Sequence, residues 1–571
     1  MKLQAPDSPK PQVAGFHLSW RRLQQSIAEP CGFGGLLVGI SLALSFAMWL
    51  YPVDFLLGTS AYWQQQDADI TQYIAGFNAF AREPWQWPLL HISSINWPDG
   101  TLATFVDIIP LYAAILKFFV HGADAPFWNP YGAWILICYF LQVVGAWWIC
   151  REAGIKSWIT LSVLTLFLAL FPALSFRVMH ISLMSQWLLV FAFAVYFRST
   201  RQNTLAWKTW TALIFSAFYI NIYLFSMLSI IFAADMIRFA PRMGWRKSVL
   251  TLGVPYGLLA LSLFATMLPL PPGADLKEAG FGYYSMNVLS PFAGGKLLQW
   301  PHPQGHDGQG EGFNYLGVFL LGLFIYAIAL RSRHDRSFWV RHKILLTALL
   351  LVTFYALSNQ IYVGTTHLFD LYLPWPGLLT GPFRVSGRFF WLAGYAVVIF
   401  TIVTVHRHAP ARRTSFLLSL VLLLQIWDLG PHHLQVRAKV TQQPSTALLD
   451  KAAWDHLLGN NIKTLYFYPP FRCSKASPHS TLLSTMRYAA ERKINLSTGY
   501  VARAAKPCVG YENEIASATD ESIAFVFLRA EFEGIGKIEQ LFGDKSSVAC
   551  TEVDFAYLCK RVHKGKSEEN L

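Results

Sequence analysis

Charged residues are scarce in this sequence: Asp, Glu, Lys and Arg make up 14% of its 571 residues, whereas a soluble globular protein carries about 25%. The chain also lacks a phosphate-binding glycine loop, a dinucleotide-binding glycine pattern, an HExxH sequence and zinc-finger spacing. It has no heptad or Gly-X-Y period, and 15% of its residues are aromatic. Coiled coil, collagen, disorder and a string of soluble domains are therefore excluded for most of the chain.

Hydrophobic residues make up 54% of the sequence and form runs of membrane-spanning length between about residues 32 and 430. This pattern predicts an α-helical polytopic membrane protein with about 11 transmembrane helices. The predicted spans are 32–52, 131–150, 158–176, 181–197, 209–223, 224–238, 249–270, 316–330, 344–360, 389–405 and 414–430. The apolar segment 105–120 is short and carries Asp107 and Lys117, which predicts a helix at the outer membrane interface.

Basic residues are distributed unevenly between the loops, and this accounts for the net charge of +13 without a nucleic-acid partner. With the N-terminus inside, the cytoplasmic loops carry 21 Lys and Arg residues, and the external loops carry seven. The predicted orientation has a retained cytoplasmic arm at 1–31, a large external loop at 53–130, and an external tail at 431–571. The segment 209–238 is interpreted as a hairpin of two short helices. A single tilted helix there would reverse the predicted membrane side of every later loop.

Four of the seven cysteines lie in the tail: Cys473, Cys508, Cys550 and Cys559. An even number of cysteines in an extracytoplasmic domain indicates two disulfides. The nine-residue separation of Cys550 and Cys559 suits a hairpin, which leaves Cys473 for Cys508. The alternative is a cytoplasmic tail with four reduced thiols. Short strands at 464–468, 523–528 and 549–558, mixed with helical pieces, predict a small α/β domain.

The external loop 53–130 is rich in aspartate, which is costly beside a membrane and usually functional there. Its acidic residues include Asp54, Asp67, Asp69 and Asp107. Asp67 and Asp69 precede a predicted helix at 70–80. They can therefore act as helix-terminal residues favoured by the helix dipole, or one can be a general base at the interface.

A set of spaced residues in this loop and beyond it carries a family resemblance. In the loop the pattern comprises Asp69, Gln72, Gly76, Trp85, Pro88, Pro98, Gly100, Asp107, Pro110 and Leu111. Later elements are Arg177 and His180 with Gln186 and Trp187, the segment 311–317 (EGFNYLG), and the segment 383–389 (FRVSGRF). Over about residues 30–430 this arrangement resembles the GT-C superfamily of integral-membrane glycosyltransferases, and within it an uncharacterised bacterial branch.

The resemblance implies a transferase that takes a sugar from a polyprenyl-phosphate donor at the outer face of a bacterial inner membrane. The acceptor would be a glycan, a lipid or a protein, and the tail would be periplasmic. By the same resemblance Asp69 is the first candidate for the catalytic base, with Asp67 and Asp54 as competitors. Asp107 would be a supporting carboxylate in the substrate-binding set.

A lipid phosphate requires cations at the same interface. Arg384 and Arg388 are four residues apart and would share a helical face, where guanidinium groups can bind phosphate bidentately; the alternative is a pair of snorkelling membrane anchors. Arg82, His180 and Tyr315 are further substrate-binding candidates. His180 is also open to a purely structural role at the interface.

The external loop near residue 305 offers a possible divalent-metal site. The sequence PHPQGHDGQGEGFNY contains His302, His306 and Glu311, which are residue types that bind metals. The alternative is a mobile polar loop, since the segment is rich in glycine.

Two other classes of function compete with the transferase. A transporter or lipid flippase of cell-envelope precursors would place ionisable residues in the middle of its spans. Here the acidic residues gather in external loops, which favours the enzyme. A non-catalytic assembly partner that retains the fold is the third possibility.

Overall fold

Long apolar helices make up most of the molecule, seen here in a computed structural model. The structure describes residues 29–562 except 67, 121, 123, 276, 299–303, 444–446, 475–478, 504–505 and 544–547. The predicted arm therefore lies almost entirely outside the described residues. Asp67 and His302 lie outside them as well.

The helices up to residue 266 cover most of the predicted spans and part of the predicted loop 53–130. They are α1 (Phe33–Leu50), α2 (Val53–Leu56), α3 (Asp69–Arg82), α4 (Pro110–Phe119), α5 (Tyr131–Ala153), α6 (Trp158–Ala169), α7 (Pro172–Ser175), α8 (Trp187–Gln202), α9 (Trp207–Phe218), α10 (Ile222–Met243) and α11 (Trp245–Thr266). Short 3₁₀ helices at Ala61–Gln64, Ala103–Val106 and Ile181–Met184 lie between them.

The remaining helices of this region follow a long connection. They are α12 (Val318–His334), α13 (Ser337–Arg341), α14 (Lys343–Leu357), α15 (Gly377–Thr380), α16 (Phe390–His408), α17 (Ala411–Asp428) and α18 (Gly430–Thr441). Two further 3₁₀ helices, Asp307–Gly312 and Ser386–Phe389, lie before and after the first four helices of this set. Two antiparallel strand pairs belong to the loops: β1 (His91–Ile92) with β2 (Thr101–Leu102), and β3 (Gln360–Val363) with β4 (Thr366–Asp370).

Seven helical segments among the described residues are long and apolar enough to cross a membrane, and the bent pair α17–α18 would make eight. The protein is thus a helical membrane protein. Three predicted spans correspond to shorter helices: α9, α12 and α14 have 12, 17 and 15 residues. At about 1.5 Å per residue, 12 residues cover about 18 Å of a hydrocarbon core of about 30 Å.

Helices α9 and α10 form an antiparallel hairpin, as expected for 209–238. Asn221 begins α10 by accepting hydrogen bonds from the backbone N–H groups of Tyr223 and Leu224. Further from the turn, the Trp210 indole donates to Asp235 at 3.0 Å. The break lies at 219–221, a few residues before the predicted one, because a capping Asn begins the second helix there.

The predicted interfacial segment 105–120 contains a 3₁₀ turn and the ten-residue helix α4. Pro110 occupies its first turn, where the missing N–H costs nothing. The Lys117 ammonium is buried between the rings of Phe80 and Trp85, at 4.0 and 4.6 Å from their centroids. This cation–π packing fastens α4 to the end of α3.

The C-terminal region folds as a small α/β domain around a five-stranded sheet. Its strands are β5 (Thr464–Tyr468), β6 (Asn495–Leu496), β7 (Ile523–Leu528), β8 (Val548–Val553) and β9 (Ala556–Arg561), in the order β6-β5-β7-β9-β8. The helices are α19 (Lys451–Leu458), α20 (His479–Arg492), α21 (Tyr511–Ser517) and α22 (Ile535–Gln540). The predicted single strand at 549–558 is a hairpin, because the chain reverses at Asp554, whose φ is 47°.

Both disulfides are present in the predicted pairing, Cys473–Cys508 and Cys550–Cys559. The second joins directly opposed residues of β8 and β9. Disulfides persist in oxidising compartments, so the pairing fits an extracytoplasmic tail.

The C-terminal domain docks on the loop between α1 and α5. Gly499 N–H donates to the Asn96 side chain at 2.8 Å, and the Lys506 ammonium donates to the Trp97 carbonyl at 2.6 Å. The Gln72 amide donates to the Tyr500 carbonyl at 2.7 Å. The two regions thus share one interface, in which Tyr500 lies against the beginning of α3.

Candidate functional site

Asp69 lies in the first turn of α3, a helix that packs against the C-terminal domain. Its predecessor Ala68 is extended (φ −117°, ψ 157°), and no side chain among the described residues caps the helix. The Asp69 carboxylate contacts His180 Nε2 at 3.2 Å. Burial raises the pKa of the Asp69 carboxyl, but the hydrogen bond and charge of His180 lower it more, so the pKa lies below its ordinary value.

Asp107 is brought close to Asp69 by tight packing of α3 on the segment before α4. A Cβ on Gly76 would lie 2.8 Å from Ile108, so only glycine permits this approach. Asp107 itself has a left-handed backbone (φ 56°) and an exposed side chain. It nevertheless lies deep in the protein, where desolvation and then the charge of Asp69 raise its pKa to about 6.

Glu311 is the centre of a buried ion cluster in the same region. Its carboxylate contacts Arg177 Nη1 at 2.5 Å and Arg388 Nη2 at 2.7 Å, and its carbonyl accepts from Arg177 Nη2 at 2.6 Å. Burial raises the pKa of Glu311, but the two guanidinium groups lower it more and hold it well below its ordinary value. Glu311 is therefore ionised wherever the cluster is intact.

His180 connects the two carboxylates. Its Nε2 lies 3.2 Å from Asp69 and 3.9 Å from Glu311, and one third of the side chain is exposed. The result is a continuous line of ionisable groups from Asp69 through His180 and Glu311 to the two arginines. Loops that are far apart in sequence supply these groups, and all of them converge at one end of the helices.

The C-terminal domain contributes Tyr500 to this line. The Tyr500 hydroxyl hydrogen-bonds the Asp69 carboxylate, and burial followed by the charges of Asp69 and Asp107 raises the pKa of the phenol. As an un-ionised donor, Tyr500 supports the charged form of Asp69.

A second ion cluster lies where the two regions meet. Glu278 contacts Arg384 at 3.0 Å, Arg472 at 2.8 Å and Arg503 at 3.6 Å. Three guanidinium groups around one carboxylate leave an excess of positive charge. Arg503 and Arg388 both act electrostatically on Asp107, so this second cluster borders the first.

The premise that Arg384 and Arg388 share a helical face is wrong. Arg384 lies in the irregular segment between α15 and the 3₁₀ helix Ser386–Phe389, and Arg388 lies within that 3₁₀ helix. The two side chains enter different clusters. Arg388 pairs with Glu311 and lies 4.9 Å from the Tyr223 ring centroid, whereas Arg384 pairs with Glu278.

Several predicted site residues lie elsewhere. Arg82 is at the far end of α3, about 20 Å from Asp69 by helical rise, and donates to the carbonyls of Ala125 and Ala490. Tyr315 is fully buried and donates to Asp428. Asp54 is exposed, and its carboxylate contacts no ionisable or hydrogen-bonding group within the described part of the chain.

The metal candidates are not brought together as ligands. His306 stacks on Tyr283 with ring centroids 4.5 Å apart, and the Glu311 carboxylate is occupied by arginines. Across the described ranges, which omit His302, no group of three His, Cys, Asp or Glu side chains could hold an ion.

Sequence reasoning missed three roles. Glu311 is a counter-ion and not a metal ligand, and its position inside the segment EGFNYLG was the available signal. Tyr500 and the arginines at 472 and 503 carried no signal, because nothing in the tail sequence shows where it docks.

Comparison with known proteins gives two matches. A family described as "Domain of unknown function (DUF6311)" matches residues 40–430, and one described as "DUF6311 C-terminal domain" matches residues 453–561. No curated protein matches the chain.

Proposed function

The chain belongs to the DUF6311 family, and we propose that it is a GT-C-type membrane glycosyltransferase that uses a polyprenyl-phosphate-linked sugar. The observation that carries the proposal is a cluster of ionisable groups at one end of the membrane helices. In it Asp69 pairs with His180 beside Arg177, Arg388 and Glu311, and Asp107 lies within electrostatic reach of Asp69 and Arg388. A carboxylate can accept the proton of an acceptor hydroxyl, and arginines can bind a phosphate leaving group and neutralise its charge. One site then contains both requirements of sugar transfer from a lipid phosphate.

In the proposed reaction, Asp69 takes the proton of the acceptor hydroxyl. The hydroxyl oxygen attacks the anomeric carbon, and the bond from that carbon to the phosphate oxygen breaks. Polyprenyl phosphate leaves with the electron pair, and a single displacement inverts the anomeric configuration. We assign the base to Asp69 because His180 and Tyr500 hold it ionised near neutral pH, whereas Asp107 gains a proton near pH 6.

We assign binding of the donor's phosphate to the arginines around Glu278. Arg388 and Arg177 already share Glu311 at short distances. Arg384, Arg472 and Arg503 share one carboxylate at 2.8 to 3.6 Å and have the larger excess of charge. We therefore retain the phosphate-binding role for Arg384. For Arg388 we propose a different role, which is to orient Glu311 and His180.

The first experiment profiles surface-glycan masses in a deletion strain complemented with variants at matched expression. The intact gene is expected to restore a sugar mass that the deletion loses, and Asp69→Asn is expected to restore at most about 1% of it, because a general base contributes about 10²–10⁴-fold. Asp54→Asn is the matched control, since it makes the same chemical change at an exposed carboxylate in the same external loop.

Two outcomes would contradict the proposal. Full restoration by Asp69→Asn would remove Asp69 from the mechanism. An unchanged glycan in the deletion strain, with a lipid-linked precursor accumulating on the inner leaflet, would favour the flippase.

A further inference from the structure

A cavity lies between the membrane helices, with its basic end away from the candidate site. Its volume is about 720 Å³, within the range of small-molecule sites. Helices α8, α12, α14 and α16 line it, and its walls are mostly Phe, Leu, Ile and Val. The lining runs along α16 from Phe390 to Arg407, which is about 25 Å by helical rise. The cavity is therefore an elongated apolar groove.

The groove opens sideways, toward the surface that membrane helices present to lipid. Leu350 lines it and is 72% exposed. Alanines at 393 and 396 on α16 provide the space, since larger residues there would fill it. An apolar groove with an apolar mouth suits a hydrocarbon chain.

Basic residues gather at one end of the groove. Arg201, Arg331, Arg341 and Arg407 line it, together with the single acidic residue Glu152. All four arginines belong to loops or helix ends in the set that the charge asymmetry assigns to the cytoplasm.

The acidic partners compensate only part of this charge. Glu152 pairs with Arg201 at 2.6 Å, and Asp335 is shared by Arg331 and Arg341 at 3.1 and 2.6 Å. Arg407 donates to the Ala153 carbonyl at 2.9 Å, and no carboxylate of the described chain lies within 4.0 Å of it. Four guanidinium groups against two carboxylates leave room for an anionic headgroup.

We propose that this groove binds an anionic diacyl phospholipid of the inner leaflet, with its phosphate at the arginines and an acyl chain along α16. Basic pockets between membrane helices on the cytoplasmic side are suited to acidic headgroups. The site is separate from the candidate transfer site, and its occupancy does not depend on the proposed function.

The test is native mass spectrometry of the full-length protein after exchange into micelles containing phosphatidylglycerol or phosphatidylcholine with identical acyl chains. The wild type is expected to retain more phosphatidylglycerol than phosphatidylcholine. Arg341→Gln with Arg407→Gln is expected to reduce that retention by about fivefold for each arginine. Ala396→Phe, which fills the apolar part, is expected to reduce retention of both lipids.

Arg333→Gln with Arg336→Gln is the matched control, because both side chains are exposed and neither lines the groove. It removes the same amount of charge near the groove, from the connection that also carries Arg341, and should leave retention unchanged. The comparison of the two lipids on the wild type remains decisive even if a variant fails to fold.

Three results would overturn the proposal. The first is equal retention of both lipids by the wild type. The second is a loss of phosphatidylglycerol in the control pair as large as that in the groove pair. The third is displacement of the phospholipid by a polyprenyl phosphate at equal concentration. The last result would assign the groove to the tail of a prenyl lipid.

Discussion

Glu311 and Glu278 are both carboxylates surrounded by arginines, yet they differ in depth and in origin. Around Glu311 the two arginines are 1% and 11% exposed and belong, like Glu311, to the membrane region. Around Glu278 the three arginines are 18% to 44% exposed, and two come from the C-terminal domain. The deep cluster is therefore part of the fold's interior, whereas the shallow one exists only while the two regions are docked and keeps excess charge available.

Removing each carboxylate is the strongest test of this contrast. Glu311→Gln is expected to destabilise the protein by about 3 kcal/mol, because it leaves the buried Arg177 without a counter-ion. Glu278→Gln is expected to cost no more than about 1 kcal/mol, because its arginines remain solvated. Melting temperatures of the purified variants in one detergent would measure the difference.

The same pair of variants should separate in function. Glycan restoration should be lost in Glu311→Gln, since His180 and Arg388 lose their shared partner, and retained in Glu278→Gln. Equal melting temperatures for the two variants would contradict the distinction between a deep and a shallow cluster.

Tyr500→Phe sharpens the contrast, because it tests what the C-terminal domain contributes to the line of ionisable groups that begins at Asp69. The variant loses one hydrogen bond to Asp69 and keeps the ring, so sugar transfer should fall by about fivefold to tenfold. The melting temperature should hardly change. Tyr511→Phe is the control, since that tyrosine lies in the same domain and stacks near Tyr468. A large loss of stability in Tyr500→Phe would assign the hydroxyl a structural role.

Asp107→Asn is expected to give the smallest effect, a gain in stability that depends on pH. The pKa of Asp107 is raised from 3.8 to about 6 in the folded protein, so the folded chain holds this proton more tightly than the unfolded chain does. Its ionised form therefore destabilises the fold, and the cost grows from about pH 4 to about pH 6.

The Asn variant should accordingly melt higher than the wild type above pH 6, and the difference should vanish at pH 4. The gain should stay below about 1 kcal/mol, because the side chain faces water, which screens its charge. A gain that persists at pH 4 would show that the effect is not titration of Asp107.

Local patterns account for the parts of the molecule that were predicted well. Strands β5 and β7 have the predicted bounds, and the Cys550–Cys559 separation matched a hairpin. A short helix in segment 105–120 was also predicted, and α4 is that helix. These features depend on residues close together in sequence, where turn chemistry and hydrophobic period act directly.

The count of spans was less accurate for a physical reason. Apolar runs at 209–223 and 344–360 suggested full spans, but the helices there have 12 and 15 residues. Hydropathy records how apolar a run is, whereas a helix also ends where a cap or turn stops it, as Asn221 begins the next one. Likewise, the four-residue spacing of Arg384 and Arg388 implied a helix that the chain does not form there.

The sequence by itself determined that this is a helical membrane protein, that its acids concentrate outside the spans, and that its tail carries two disulfides. Composition, charge and cysteine number are sums over the chain, and they need no knowledge of contacts. Only the tertiary structure decided that Asp69 faces His180, that Glu311 neutralises two arginines, and that Tyr500 and Arg503 reach the site from the tail. Such pairings join residues tens to hundreds of positions apart, and their energy comes from burial and proximity, which no local pattern records.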